Sequence, residues 1–221
     1  MSQIIKNIYT QETFAEIAKL ADELKYVSGK VTATGKVKDI KNNLQADLNC
    51  ELGKNIVRLI RAPLYTSQNF NLAAAPAKIT VPIIARYSEG MTYGFHCDAP
   101  LLNQGEIIRT DLSCTIFLND DYEGGELEIK TEFGNVKIKG EVGDVLVYPS
   151  GTLHRVCPVT SGVRRVAVLW IQSRIRDLSQ RNIIQDLSRA ILQMDNDNDE
   201  NGAYALVKKS YDNLVRKWTD I

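Results

Sequence analysis

From residue 26 to residue 176 the chain is a succession of short β-branched and aliphatic runs, each cut off within a few residues by a turn signal. This pattern limits the fold more than any other feature. The clearest runs are 81–87, 113–118, 126–129, 135–138, 145–148 and 163–171. Gly124-Gly125, Gly134-Asn135, Gly140, Gly143-Asp144, Pro149 with Gly151, and Ser161-Gly162 punctuate them. Branched and aromatic side chains pack well on a pleated surface, and Gly or Pro supplies the geometry that lets a strand reverse. Strands this short and this closely spaced predict an antiparallel sandwich or barrel rather than alternating βαβ units.

Helical periods flank the β region. Thr10 is placed to cap a first helix, with Glu12 in its first turn and Phe14, Ile17, Ala18, Ala21 and Leu24 recurring at three- and four-residue steps. After Asp177, one apolar stripe runs through Ile184, Leu187, Ile191 and Met194, and a second through Tyr204, Val207, Tyr211, Leu214 and Trp218. The acidic stretch between them, 195–202, carries side-chain oxygens at alternate positions. A calcium loop starting at Asp195 needs Gly at its sixth place and Glu at its twelfth, where this chain has Glu200 and Leu206. A solvated connection between antiparallel helices is the expectation instead. The predicted layout is a mainly β core with flanking helices: residues 1–176 hold the N-terminal helix and the core, with the catalytic part at about 80–174, and 177–221 form a C-terminal helical extension.

Composition narrows the function. Lys+Arg number 27 and Asp+Glu 27, so the formal net charge is zero, and no basic block stands out. That argues against a nucleic-acid backbone as the partner. No apolar run approaches the roughly 18 residues of a membrane span, and the first residues lack a signal-peptide pattern, so a soluble cytoplasmic protein is expected. Cys50, Cys97, Cys114 and Cys157 form no CxxC pair and suit free thiols in a reducing compartment, here read as small core residues.

Histidine is scarcer still. Only His96 and His154 are present, so any chemistry that needs imidazole must use these two. On a strand, residues i and i+2 share a face, which points His96 and Asp98 together and Cys97 away. A later strand of the same barrel would bring in His154. Two imidazoles and a carboxylate on one side of an ion form the facial triad of non-haem Fe(II) oxygenases. A zinc site using Cys97 or Cys157 fares worse, because regular alternation sends each thiol away from the neighbouring histidine. Beyond His154, Arg164 and Arg165 open an apolar run. A buried arginine there would need an anion, and its planar fork suits a carboxylate. The two face opposite sides, and periodicity does not choose between them, because Val166, Val168 and Trp170 are as apolar as Ala167, Leu169 and Ile171.

With residues 26–33, 41–45, 86–98, 143–156 and 170–173 and the C-terminal hairpin taken in order, nearly the whole chain resembles a known family. It is the PKHD-type, prolyl-4-hydroxylase-like branch of the Fe(II)/2-oxoglutarate-dependent dioxygenases, especially the bacterial iron-uptake-associated hydroxylases. The resemblance implies a double-stranded β-helix (jelly-roll) core. It implies that His96, Asp98 and His154 are the catalytic iron ligands, that Arg164 holds the far carboxylate of 2-oxoglutarate, and that Tyr87 lines the co-substrate pocket. Some relatives have a second tyrosine near position 117, where this chain has Phe117. The implied reaction hydroxylates a C–H bond with release of succinate and CO2. Asp98 favours hydroxylation, since related halogenases put a small residue there. L-ascorbate is implied as an accessory reductant.

Rival readings are a non-catalytic cupin-like metal- or ligand-binding sensor module and a zinc hydrolase or isomerase on the same barrel. The substrate, a small molecule or a prolyl peptide, is expected to meet loops at 63–76 and 99–109, the second a candidate lid, with Asn42, Asn43 and Gln45 near the mouth. The last stripe, through Trp218, is expected to cover its own core or a second copy in a homo-oligomer.

Overall fold

A computed structural model describes residues 2–32, 35–194 and 202–220, so the acidic connection at 195–201 lies outside the described residues. Among the described residues the pairings are all antiparallel and fall into a nine-stranded sheet, a five-stranded sheet and a small hairpin. The spine of the larger sheet runs in the order Gln3–Ile5, Val145–Pro149, Leu112–Phe117, Val159–Ser173, Ile83–Ser88, Leu44–Ala46, Tyr26–Ser28. The smaller runs Gly134–Ile138, Leu127–Thr131, His154–Val156, Thr92–His96, Lys41–Asn42. The two sheets line opposite walls of one cavity, the double-stranded β-helix expected from the sequence.

Each predicted run holds a strand, with the ends shifted: Val81, Pro82, Leu118 and Glu126 fall outside, while the last run extends to Val159–Ser173. The first helix, α1 (Gln11–Glu23), is capped by Thr10, whose hydroxyl accepts from the Thr13 amide at 3.2 Å. One expectation fails. The stretch after Tyr26 is not all β, because α2 (Glu51–Thr66) and α3 (Gln68–Ala74) interrupt it. Ile56, Ile60 and Leu64, four residues apart, make a stripe that is wholly buried, and Pro63 sits inside α2 rather than ending it. Of residues 63–76, expected as a substrate loop, all but Ser67, Ala75 and Pro76 are therefore helix, with Leu64, Phe70, Ala73 and Ala74 buried in the outer core. Gly53 lets α2 start there: a Cβ at this position would stand 2.3 Å from the Leu48 carbonyl oxygen.

Two cores result. α1, α2 and α3 cover the outer face of the large sheet, burying Ile17, Ile60 and Phe70 against Ile84, Ile116 and Leu169. The second core lies between the sheets, around Phe117, Leu127, Leu146 and Val166. The Val159–Ser173 strand is thus covered on both faces, which is why its alternation could not be read from the sequence.

Two helices follow, α4 (Leu178–Gln193) and α5 (Ala203–Trp218), in contact with each other, and α4 reaches α3 through Gln185 Nε2, which donates to the Ala73 carbonyl at 2.7 Å. Among the described residues no helix is long and apolar enough to cross a membrane. The thiol expectation is half corrected. Cys114 and Cys157 are buried, but Cys50 and Cys97 are exposed. Cys50 serves instead as the N-cap of α2, its sulfur accepting from the Gly53 amide.

Candidate metal centre

The inter-sheet cavity has a volume of about 540 Å³, and Leu102 and Asn103 of the small Leu101–Asn103/Ile107–Arg109 hairpin line it together with Lys41, Asn43 and Gln45. His96, Asp98 and His154 meet in its wall, with one ligand atom from each lying within 4.8 Å of the others. The distances are 3.8 Å from His96 Nε2 to Asp98 Oδ1 and 3.9 Å from His154 Nε2 to Asp98 Oδ2. Cross-strand pairing delivers the histidines, because His154 is the direct partner of His96 in the five-stranded sheet. Asp98 arrives differently from the alternation argument. The strand ends at His96, and Asp98 returns on a loop whose amide donates to the Ser150 carbonyl. Cys97 is left at the cavity rim, its thiol donating to the Gly151 carbonyl at 3.4 Å.

Each imidazole is held in one tautomer. His96 Nδ1 lies 2.8 Å from the Gly94 carbonyl and His154 Nδ1 2.8 Å from that of Thr152. A carbonyl only accepts, so Nδ1 carries the proton and Nε2 keeps a lone pair for an ion. Burial, with His154 adding to it, pushes the His96 pKa down to about 4, which leaves the ring neutral and able to coordinate. Tyr93 stacks on His96 at 3.7 Å, and the Tyr148 ring stands edge-on to His154 at 5.1 Å. The Ser113 hydroxyl donates to the Asp98 carboxylate, and Ser150 Oγ lies 2.8 Å behind it.

Arg164 and Arg165 separate cleanly. Arg165 points outward and pairs with Asp22 at 3.1 Å. Arg164 points inward, is 1% exposed, and lines the same cavity as the triad. Its guanidinium lies 5.2 Å from the centre of the Tyr87 ring, and Nε and Nη1 have no hydrogen-bond partner among the described residues. A buried guanidinium with idle donors is expensive unless an anion completes it. Tyr87 is buried beside it and also lines the cavity, its hydroxyl pKa raised by burial and drawn back by the Arg164 charge. Phe117 packs in the inter-sheet core, and Tyr122 approaches Arg164 instead: burial raises its hydroxyl pKa and the guanidinium opposes that rise.

The predicted site residues thus converge on one cavity. Sequence reasoning gave no role to Ser113, Tyr148 or Lys41, which meet the site only through tertiary pairing. The polar alternation at Lys41, Asn43 and Gln45 was the readable signal for that wall. The structure turns these three inward and Asn42 out.

Comparison with known proteins accords with this geometry. Residues 82–172 match the model of the 2OG-Fe(II) oxygenase superfamily. A PKHD-type hydroxylase from Hyphomonas neptunium is 37% identical over 222 residues, covering 99% of both chains. One from Acinetobacter baumannii (strain SDF) is also 37% identical, covering 98% of each. Among solved structures, a prolyl hydroxylase from Trichoplax adhaerens, in complex with a peptide of a hypoxia-inducible factor, superposes with a TM-score of 0.61 at 19% identity, covering 82% of this chain and 86% of that one. A viral collagen prolyl hydroxylase from Paramecium bursaria Chlorella virus-1 gives 0.52 at 17% identity, covering 78% and 95%. These last two likenesses bear on the fold, and the full-length sequence matches carry the assignment: the chain belongs to the PKHD-type hydroxylases of the 2OG-Fe(II) oxygenase superfamily.

Proposed function

We propose that His96, Asp98 and His154 bind Fe(II) as the catalytic triad and that Arg164, flanked by Tyr87, binds 2-oxoglutarate, so that the protein hydroxylates a small-molecule or peptide substrate. The observation that carries this reading is the inward guanidinium of Arg164, which has idle buried donors and shares a cavity with two imidazoles whose Nε2 atoms are free. The residues fit both groups: two imidazole nitrogens and a carboxylate for a ferrous ion, and a guanidinium for the far carboxylate of the keto-diacid. When bound, the pair supplies the oxygen chemistry, in which 2-oxoglutarate becomes succinate and CO2 as a C–H bond of the substrate is hydroxylated.

The chain's own residues supply the setting. Arg164 fixes the co-substrate's orientation by charge and by planar hydrogen bonding. The Gly94 and Thr152 carbonyls hold the imidazole tautomers, and Ser113 orients the Asp98 carboxylate. Tyr93, Tyr148 and Leu127 wall the site against bulk water. Asp98, a carboxylate where a halide site would need a small residue, supports hydroxylation.

L-ascorbate is the proposed accessory that restores Fe(II). A cytoplasmic setting is part of this reading, in keeping with four cysteines that form no CxxC pair. Residues 1–176 are proposed as the oxygenase domain and 177–221 as its helical extension, and exposed Leu192 and Leu206 support self-association through that extension. Succinate release from Fe(II), 2-oxoglutarate and O2 tests the central reading. It is expected to vanish in His96→Ala and Asp98→Ala, and release that persists in both would overturn it.

A further inference from the structure

Lys41 is the residue this chemistry leaves unexplained. It is 6% exposed, lines the cavity, and stands 5.1 Å over the Tyr93 ring that stacks on His96. Nζ donates to the Thr32 hydroxyl at 2.8 Å, and among the described residues no carboxylate lies within ion-pairing distance of it. Burying an ammonium against one neutral hydroxyl is costly, and a fold tolerates that cost where a ligand brings the counter-charge. Burial indeed pushes the Lys41 pKa down to about 8, with the charge of Asp98 working the other way.

The position is built by the segment that joins the two sheets. Lys41–Asn42 pairs with Tyr93 and Thr92 in the smaller sheet, and Leu44–Ala46 with Ala85 and Arg86 in the larger. One extended stretch therefore bridges the two sheets along the cavity wall. Its alternation sends Lys41, Asn43 and Gln45 into the cavity, all three buried. Gln45 is held by the Thr32 hydroxyl at 3.0 Å, the same hydroxyl that accepts from Lys41, so the wall is a fixed polar set.

Charge accounting then points to what this wall meets. The formal charges lining the cavity among the described residues are Lys41, Asp98 and Arg164. With Fe(II) and 2-oxoglutarate in place, the two charges of the ion and that of Arg164 are balanced by Asp98 and the two carboxylates of the co-substrate. Lys41 is left over. We infer that the substrate carries a carboxylate and that Lys41 binds it in the cavity, on the Tyr93 side of the triad. A single positive charge flanked by neutral amides matches a singly charged carboxylate better than a dianionic phosphate. The inference rests on the oxygenase reading above.

The test uses the full chain loaded with Mn(II), with N-oxalylglycine filling the co-substrate site and acetate as the probe. Paramagnetic broadening of the acetate methyl NMR signal reports binding near the metal. Wild-type protein is expected to broaden acetate saturably and to leave neutral acetamide unaffected. Lys41→Met is expected to weaken acetate binding by about 10- to 100-fold, and Lys41→Arg to retain it. Equal broadening of acetate and acetamide, no broadening of acetate, or undiminished broadening in Lys41→Met each overturns the assignment. The wild-type comparison stands even if Lys41→Met does not fold. Calorimetry of 2-oxoglutarate on the Mn(II) protein separates the two levels. Absence of binding to wild type sinks the oxygenase reading itself, and a loss beyond about tenfold in Lys41→Met would assign the lysine to the co-substrate.

Discussion

Replacing Arg164 with Met should move stability in opposite directions with and without the co-substrate. In the co-substrate-free protein the guanidinium is buried with two donor atoms unpaired, and each such atom costs about 1–3 kcal/mol. Methionine has a similar reach and no polar group to desolvate. Its gain is offset by the lost contact with the Tyr87 ring, worth about 0.5–2 kcal/mol. The net expectation is a variant more stable by about 1 kcal/mol or more, which for a chain of this size raises Tm by roughly 2–4 °C per kcal/mol. With Mn(II) present and 2-oxoglutarate at about a hundred times its Kd, wild type should gain about 2.7 kcal/mol, or roughly 5–11 °C. The variant should gain almost none of this, since two charge-assisted bonds of about 1.5–3 kcal/mol each are missing. Thermal unfolding of both proteins, with and without co-substrate, is the assay. A variant that melts below wild type in the absence of co-substrate, yet shows the full 2-oxoglutarate shift, would refute the reasoning about this side chain.

The carboxylate support can be probed with Ser113→Ala, which removes the hydroxyl that donates to Asp98. Metal affinity by Mn(II) or Fe(II) titration should fall about 10- to 100-fold, with the fold unchanged by circular dichroism. Gly125→Ala puts a methyl 3.0 Å from Arg164 Cδ on a residue with φ of +64°. The strain of about 1–2 kcal/mol should lower Tm, and the displaced arginine should raise the Kd for 2-oxoglutarate, both readable in one ligand-dependent melt. Glu128 is held down to about 2 by Arg155 first, then by the Cys157 thiol and the Asn135 amide. Its folded pKa lies below the unfolded carboxylate value of about 4.3, so its contribution is present above that value and lost as pH falls toward about 2. The Tm difference between wild type and Glu128→Gln should therefore shrink from pH 6 to pH 2, and a constant difference would show that the network is not pH-linked.

Much of the fold was legible because strand and turn signals are local. The runs at 113–118 and 145–148 became neighbouring strands of the large sheet, and Thr10 capped the helix it was expected to cap. The helices over 51–74 were not read, although Ile56, Ile60 and Leu64 recur at the helical step. Pro63 and the small residues around Ala73 looked like loop chemistry, and burial under the large sheet outweighed that local preference. The site divided in the same way. With two histidines in the chain, the candidates for imidazole ligands were fixed from the start. Asp98 was picked out by a strand argument, whereas the structure brings it to the two imidazoles on a loop anchored on Ser150.

The sequence by itself determined which groups were available: two imidazoles, one nearby carboxylate, paired arginines, and a β-rich core to hold them. Tertiary structure alone decided which arginine turns inward. A strand buried on both faces carries no readable alternation, so the registers Arg164↔Tyr87 and Arg165↔Arg86 had to form before one guanidinium was committed to the cavity and the other to Asp22. It alone placed Lys41 beside the triad, over the Tyr93 ring, and Ser113 behind Asp98. Those contacts join residues far apart in the chain, and nothing in the local sequence encodes a distance that exists only once the two sheets have closed on each other.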